Sequence, residues 1–476
     1  MAKANDSHAS DFKEFERRYV LIRPLHSTQR ESLGANVGRT ERGASCLAGR
    51  NMVSVSIPYG DGTMQFEIAK DRLLDILSPR DVPSAADPHS TVLNAIRNPV
   101  SDRGIASFAK GGTVVIITDD HTRPTPAGLI CRTVIDELNS LGIDDSRIMI
   151  LAAGGLHRPM NDAELRSRYG DDIIGRVRIM SHDAWDEDQV EYLGKTSRGT
   201  PVWFNKHIIH AGLRITVGMI TAHFTAGYGS GPKTILPGAS GYRTIFHNHG
   251  MFAASPSAKI GVTNGNPCWE DMVEAISFLG PTLAIDVVLN TRNELVAAFH
   301  GDPVSAQRAG LDLYHSIYAF HPKEKADIVI ASANPMYTYL DQCLKAIIHS
   351  SMLIKTGGAL IVASPCQELL GPPFLRELYY ESFTPRWPTA EEYARMMQSG
   401  KIEDVADASG ILKLLQANHA DLTLVCDHSF DRDLANLGFP HMSSVQQALD
   451  EATSRLGADS KVLVMPYGAI THAMPS

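Results

Sequence analysis

A chain of 476 residues with 43% hydrophobic and 20% charged side chains can bury a sizeable core and is long enough for two or three domains. Its formal net charge of -9 gives no general field for nucleic acid or an anionic membrane, so a small anionic ligand would need local Arg and Lys. Its 6 cysteines lie far apart without a CxxC pair, which argues against a disulfide framework or thiolate zinc site and places the protein in a reducing cytoplasm. No apolar run approaches the ~20 residues of a membrane span, and the first residues lack the apolar core of a signal peptide.

Residues 1–50 are polar and weakly patterned, and read as an N-terminal extension that is partly disordered or packed on a surface. From Val53, VSVSIPYGDGTMQFEIA alternates apolar and polar residues around Gly60-Asp61-Gly62, which predicts a hairpin. A helical stretch follows near Ser90 to Ile96. GTVVIITDDHTRPTP (Gly112 to Pro126) is a buried strand whose end carries Asp119, Asp120, His121 and Arg123. Thr125 then caps a helix with Pro126 at its first position, and Gly142 stops it. SRIMILAAGGLHRP (Ser146 to Pro159) repeats the pattern, ending in glycines and His157. ITVGMIT (Ile215 to Thr221) is a third such strand, stopping before His223. Strand ends that deliver polar residues at a Gly or Pro break form the usual rim of an α/β active site.

The stretch TAHFTAGYGSGPKTILPGASGYRTIFHNHG (Thr221 to Gly250) presents Lys233 on a glycine-rich loop between two histidine-bearing flanks. It is not a phosphate-cradling GxxxxGK[ST] loop: Pro232 before the lysine has no N–H, and Pro237 interrupts any helix behind it. Beyond Pro237 a short helix stops at Gly250 with His249 in its last turn, and His247 points elsewhere.

LAIDVVLN (Leu283 to Asn290) and Leu295 to His300 read as paired strands, and residues 301–322 as a helix leading to a second domain. There KADIVIASANP is a buried strand before a helix from about Tyr339 to Ile354. Gln342, Lys345 and His349 share one stripe of that helix, while Leu340, Leu344, Ile347 and Ser351 fill another. GALIVASP, LTLVCDHS and KVLVMPYG add strands of a mostly parallel sheet, and residues 375–405 read as an insertion or lid. The expected fold is α/β with two domains, each a mixed or mostly parallel sheet flanked by helices, and an active site in the cleft between them. The expected bounds are 51–315 for the N-terminal α/β domain and 323–460 for the C-terminal one, with segment 461–476 returning to the first.

DHTRPTP at Asp120 to Pro126, GLHRP at Gly155 to Pro159, the His223 to Lys233 loop, ILPG at Ile235 to Gly238 and Asn248-His249 occur in this order. Pro335 through Gln342 to Lys345 and KTGG at Lys355 to Gly358 continue the series. Together they resemble the nickel-dependent lactate racemase family over roughly Ile57 to Gly468. The resemblance implies a racemase or epimerase of a 2-hydroxy acid carrying a nickel-pincer nucleotide, a pyridinium-3-thioamide-5-thiocarboxylic acid mononucleotide with Ni. It implies covalent attachment at Lys233, nickel coordination by His249, which imidazole suits, and further cofactor contacts from Thr122 and Gly231. It also implies His157 and His223 as the two bases and Arg123 and Lys345 as carboxylate holders. Gln342 would orient the substrate, and Asp120 a catalytic histidine or Arg123. Cofactor-maturation proteins are the implied partners, with no nucleic acid and no membrane.

The chemistry is coherent with that set. A hydrogen on the carbon beside a carboxylate is weakly acidic, so hydride transfer avoids a carbanion, and a histidine that titrates in the useful range removes the hydroxyl proton. Where lactate racemase has a tyrosine before Gln342, this chain has Asp341, which would hydrogen-bond a hydroxylated substrate or pair with Lys345 across one helical turn. The family's tryptophan near the cofactor has no assigned counterpart among Trp185, Trp203, Trp269 and Trp387. Two other readings stay open. A one-way 2-hydroxy-acid dehydrogenase would want a GxGxxG after a strand, which is missing. A non-catalytic nickel or cofactor carrier would need neither His157 nor His223.

Overall fold

Alternation decides the first element. Strands β1 (Met52–Tyr59) and β2 (Gly62–Ala69) pair antiparallel around a turn in which Gly60 has φ +58. Val55, Ile57, Phe66 and Ile68 are buried on one side of the hairpin, and β3 (Leu73–Ile76) follows it. This computed structural model describes residues 50–108, 112–368, 392–393, 395–396, 420–426, 431–436 and 440–474. The expected N-terminal extension and most of the expected lid at 375–405 lie outside the described residues.

After α1 (Pro88–Arg97), the chain builds its first sheet from β4 (Val114–Asp119), α2 (Ala127–Ser140), β5 (Ile148–Ala153), α3 (Asp162–Tyr169) and β6 (Arg178–Ser181). An antiparallel ribbon, β7 (Val190–Lys195) with β8 (Pro201–Asn205), precedes β9 (Leu213–Met219). A two-residue pair, β10 (Ala222–His223) and β11 (Gly227–Tyr228), then brackets the turn behind His223. Helices α4 (Tyr242–Ile245) and α5 (Pro267–Ile276) lead to β12 (Thr282–Leu289), β13 (Leu295–Gly301) and α6 (Pro303–Tyr318).

The strand order is β13-β12-β9-β4-β5-β6, parallel except for the antiparallel β12–β13 edge. Both faces are covered, which is why its central strands are apolar throughout. Val114 and Ile116 pack with Ile130, Val134 and Leu138 of α2, whereas Val115 and Ile117 pack with Phe204, Met272 and Ile276. The order reverses beside β4, with β5 on one side and β9 on the other, so a crevice opens at the carboxyl ends of these strands. Thr125 does not cap α2 as expected: its hydroxyl donates to Asp119 Oδ2 at 2.5 Å, and the helix starts behind Pro126 with no side-chain cap.

The second sheet comes from β14 (Ala319–Phe320), which pairs outside it, then β15 (Ala326–Ser332), α7 (Leu340–Ser351), β16 (Ile354–Ala363), β17 (Asp421–Val425), β18 (His441–Met442), α8 (Val445–Leu456) and β19 (Val462–Met465). Its order is β18-β17-β16-β15-β19-β3, all parallel. β3 is therefore an edge strand of the second sheet. The β1–β2 hairpin covers that sheet too, packing Val55, Ile57, Phe66 and Ile68 on Ile328 and Ile330. The expected domain bounds had grouped this segment with residues up to 315; its apolar face is instead used by the other sheet. At the far end, β20 (His472–Ala473) pairs with β14, and Tyr314 of α6 donates to the carbonyl of Ile470 at 2.6 Å. The helix expected over 301–322 ends at Tyr318 because that strand pairing starts at Ala319. Among the described residues no disulfide forms and no helix is long and apolar enough to cross a membrane.

Candidate active site

A cavity of about 180 Å³ lies at the carboxyl ends of β4, β5 and β9 and is closed from the second lobe by α7. Asp120, Arg123, His157, His223, Lys233, His249, Gln342 and Lys345 all line it. β9 and β5 flank β4, so their ends stand about 10 Å apart, two strand spacings; His157 follows the end of β5, His223 follows the end of β9, and Arg123 follows the end of β4.

His157 is set by its neighbour across the strand ends. A Cβ on Gly154 would sit 3.1 Å from Asp120 Oδ2, so glycine there gives the carboxylate room. That carboxylate lies 2.6 Å from His157 Nδ1 and also accepts the hydroxyl and backbone N–H of Thr122, at 2.5 and 3.2 Å. Burial works against the charge on Asp120, but the His157 ring, then Arg123 and His121, outweigh it and hold the carboxyl well below the usual range. An ionised Asp120 requires a proton on Nδ1 of His157, leaving a lone pair on Nε2. Nε2 lies 3.1 Å from Gln342 Nε2, whose amide donates to it. Gln342 Oε1 in turn accepts Arg123 Nη1 at 2.9 Å and the Lys345 ammonium. Two cations thus converge on one neutral oxygen inside the cavity.

His223 has the opposite polarity. Its Nδ1 accepts the backbone N–H groups of Thr225 and Ala226 at 3.2 and 3.1 Å, which places the proton of the neutral ring on Nε2. Burial, then the charges of Lys233 and Lys345, push its pKa well below the ordinary value, so the ring is neutral. It stacks on Phe224 with centroids 4.7 Å apart.

The lysine loop is strained and braced. Ser230 and Gly231 have φ +64 and +52, and a Cβ on Gly231 would come within 2.6 Å of the Pro303 carbonyl. Gln307 Nε2 donates to the carbonyls of Gly229 and Ser230, and Asp286 Oδ1 accepts the Gly231 N–H at 3.1 Å. Asp286 is wholly buried, and burial lifts it to about 8, so it is neutral at physiological pH. Lys233 keeps some surface toward the cavity, yet burial and then repulsion from Arg123 bring its amine down to about 7. An unprotonated amine, the nucleophilic form, is therefore available near neutrality.

His249 falls in a π turn, Phe246–Met251, behind α4. Its Nδ1 meets Asn248 Oδ1 at 2.9 Å, and its buried Nε2 has no hydrogen-bond partner among the described residues. A buried nitrogen without a partner, beside a reactive amine, fits a metal-bearing group that brings its own remaining donors. Among the described residues no group of three His, Cys, Asp or Glu side chains could hold a metal by itself.

Thr122 and Gly231 stand behind the wall rather than on it, Thr122 also receiving Arg123 Nη1 at 2.9 Å. Asp341 lies in α7, but its side chain is outside the described part of the structure. His247 turns away to Thr200 Oγ1. Trp269 Nε1 bonds Gln307 behind the loop, Trp185 stacks on Tyr242, Trp203 meets Tyr192 at a tilt of 41°, and Trp387 lies outside the described residues. The sequence reading missed Asp286 and Gln307; the acid inside the apolar run LAIDVVLN was a signal for Asp286 alone.

Two family descriptions match the chain, "Lactate racemase N-terminal domain" over residues 59–261 and "Lactate racemase C-terminal domain" over 321–471. The chain belongs to the lactate racemase family. Lactate racemases of Thermoanaerobacterium thermosaccharolyticum and Lactiplantibacillus plantarum are 28% and 29% identical to it, each over 88% of this chain and over 98% and 99% of their own. The lactate racemase apoprotein structure from T. thermosaccharolyticum superposes with a TM-score of 0.79 at 26% identity, covering 89% of this chain and all of that one. A Thermotoga maritima protein at 14% identity and TM-score 0.64 shares the fold. Membership of the lactate racemase family makes the protein an isomerase, a racemase.

Proposed function

We propose that the protein inverts C2 of a 2-hydroxy acid more polar than lactate, using a nickel-pincer nucleotide attached at Lys233 and coordinated by His249. The observation that carries this reading is a pair of imidazoles of opposite tautomer, His157 unprotonated at Nε2 and His223 protonated there, in one cavity with two convergent cations. When bound, the nucleotide supplies an acceptor and donor of hydride and spares the site a carbanion.

Arg123 and Lys345 leave Gln342 Oε1 for the substrate carboxylate, a stronger acceptor than an amide. His157 Nε2 takes the hydroxyl proton, and Asp120 stabilises the imidazolium that forms. His223 Nε2–H faces the same oxygen as a neutral donor that polarises a carbonyl. To serve as base toward the other enantiomer, its proton must move to Nδ1 and the two amide contacts must yield. Asp341, where relatives of the family have tyrosine, favours a hydroxylated side chain on the substrate. Maturation proteins in the cytoplasm would load the cofactor.

The test is protein matured with nickel and cofactor. It should invert C2 of polar 2-hydroxy acids, with His157→Ala and His223→Ala each abolishing turnover, and Asp341→Tyr should shift preference toward lactate. Intact mass should show an adduct that Lys233→Ala removes. Solvent deuterium entering C2 during turnover would sink hydride transfer, and adduct with nickel but no turnover would leave a carrier.

A further inference from the structure

The environment of Asn248 fixes more than its own position. Asn248 is completely buried, and its Nδ2 donates to the Cys268 carbonyl at 3.0 Å and to Asp271 Oδ2 at 2.8 Å. Both partners only accept, so the amide cannot be turned over without pointing its oxygen at two oxygens. Oδ1 must therefore be the atom that faces His249 Nδ1 at 2.9 Å, where it also receives the Cys268 thiol at 3.3 Å. An oxygen there demands N–H on Nδ1, which leaves the lone pair of His249 on Nε2, the buried atom that has no hydrogen-bond partner among the described residues.

Asp271, on α5, anchors this chain of contacts. It too is completely buried, and it accepts the hydroxyls of Thr196 and Thr200 at 2.6 and 2.7 Å. A carboxylate on the amide N–H side draws electron density toward Oδ1 and strengthens its hold on the imidazole N–H, which in turn makes the far nitrogen a better donor.

We infer that Asn248 and Asp271 are positioning residues that lock His249 in the Nδ1–H tautomer and so present Nε2 to the metal. The inference rests on the functional reading above only for the identity of that metal. The tautomer can be read without it, in full-length apoprotein labelled with ¹⁵N-histidine, from long-range proton–nitrogen correlations. His249 should show a protonated Nδ1 and a bare Nε2; a proton on Nε2 in the wild type overturns the proposal whatever any variant does. Asn248→Ala should yield a mixture of tautomers, whereas Asp271→Asn, which can still offer an oxygen to the Asn248 amide, should keep Nδ1–H. In matured protein challenged with a chelator, Asn248→Ala should release nickel about ten- to a hundredfold faster than wild type by metal analysis. Equal release from a variant whose tautomer has changed also overturns it. Matured protein devoid of nickel fails the functional reading, and the apoprotein spectra still decide this one.

Discussion

His157 and Asp120 meet with Nδ1 and Oδ2 2.6 Å apart, while the other oxygen of Asp120 is held by Thr122. The substitution Asp120→Asn would keep Thr122 on the amide oxygen and turn its NH₂ toward the ring, forcing the proton to Nε2. The expected result is a fall in kcat of about 10³–10⁴ with little change in KM, measured at equal cofactor occupancy. Wild-type kcat in that variant would remove His157 as the base.

Lys233 titrates near 7 in the folded chain against 10.5 in the unfolded one. Between those values the unfolded chain binds more protons, so this group's contribution to apoprotein stability rises with pH from about 7 to about 10.5. Lys233→Met should therefore raise the Tm of the apoprotein at pH 7, and the gain should fade toward pH 10. Acylation of the Lys233 amine, followed by peptide mass, should show a midpoint near pH 7 while surface lysines label only at higher pH.

Asp286 gives the opposite slope. Its carboxyl stays protonated up to about 8 in the fold but ionises near 3.8 when unfolded, so the folded chain binds the extra proton and stability falls as pH rises between those values. Asp286→Asn keeps the acceptor for Gly231 and should raise Tm at pH 8 while changing nothing below pH 4. Asp286→Leu strands that N–H at a cost of about 1–3 kcal/mol. It should also lower the rate of adduct formation at Lys233, because the loop loses its support.

The cations on Gln342 Oε1 come from different lobes, Arg123 from the turn after β4 and Lys345 from α7. Each charge-assisted bond to a carboxylate contributes about 1.5–3 kcal/mol. Arg123→Met and Lys345→Met should thus each raise KM roughly ten- to a hundredfold. Gln342→Glu, an internal carboxylate that satisfies both cations, should raise it further. Unchanged KM in both single variants would place the substrate carboxylate elsewhere.

The parts of this architecture that follow from local pattern were readable in the sequence. β4, β5 and β9 are continuous apolar runs because both their faces are covered, and their glycine or proline breaks put His157, Arg123 and His223 on one rim. What stayed hidden depends on partners distant along the chain. Thr125 looks like a helix cap until Asp119 claims its hydroxyl. His349 shares a helical stripe with Gln342 and Lys345, yet its Nδ1 meets the carbonyls of Gly468 and Thr471, because the later turns of α7 run under the C-terminal segment instead of the cavity. β3 is four residues long, and nothing in LLDI announces a neighbour as remote as β19.

That pairing of β3 with β19 governs the order in which the chain can be finished. During synthesis, the strands from β4 to β13 emerge together and can close their sheet while translation continues. The hairpin made earliest must wait, its oily side bare, until Ile328 and Ile330 arrive, and β3 waits for Val462 to Met465. The second lobe is therefore stitched from both ends of the polypeptide. A fragment starting at 321 would expose the open flank of β19 together with an uncovered sheet face, and should aggregate unless residues 46–80 are supplied in trans.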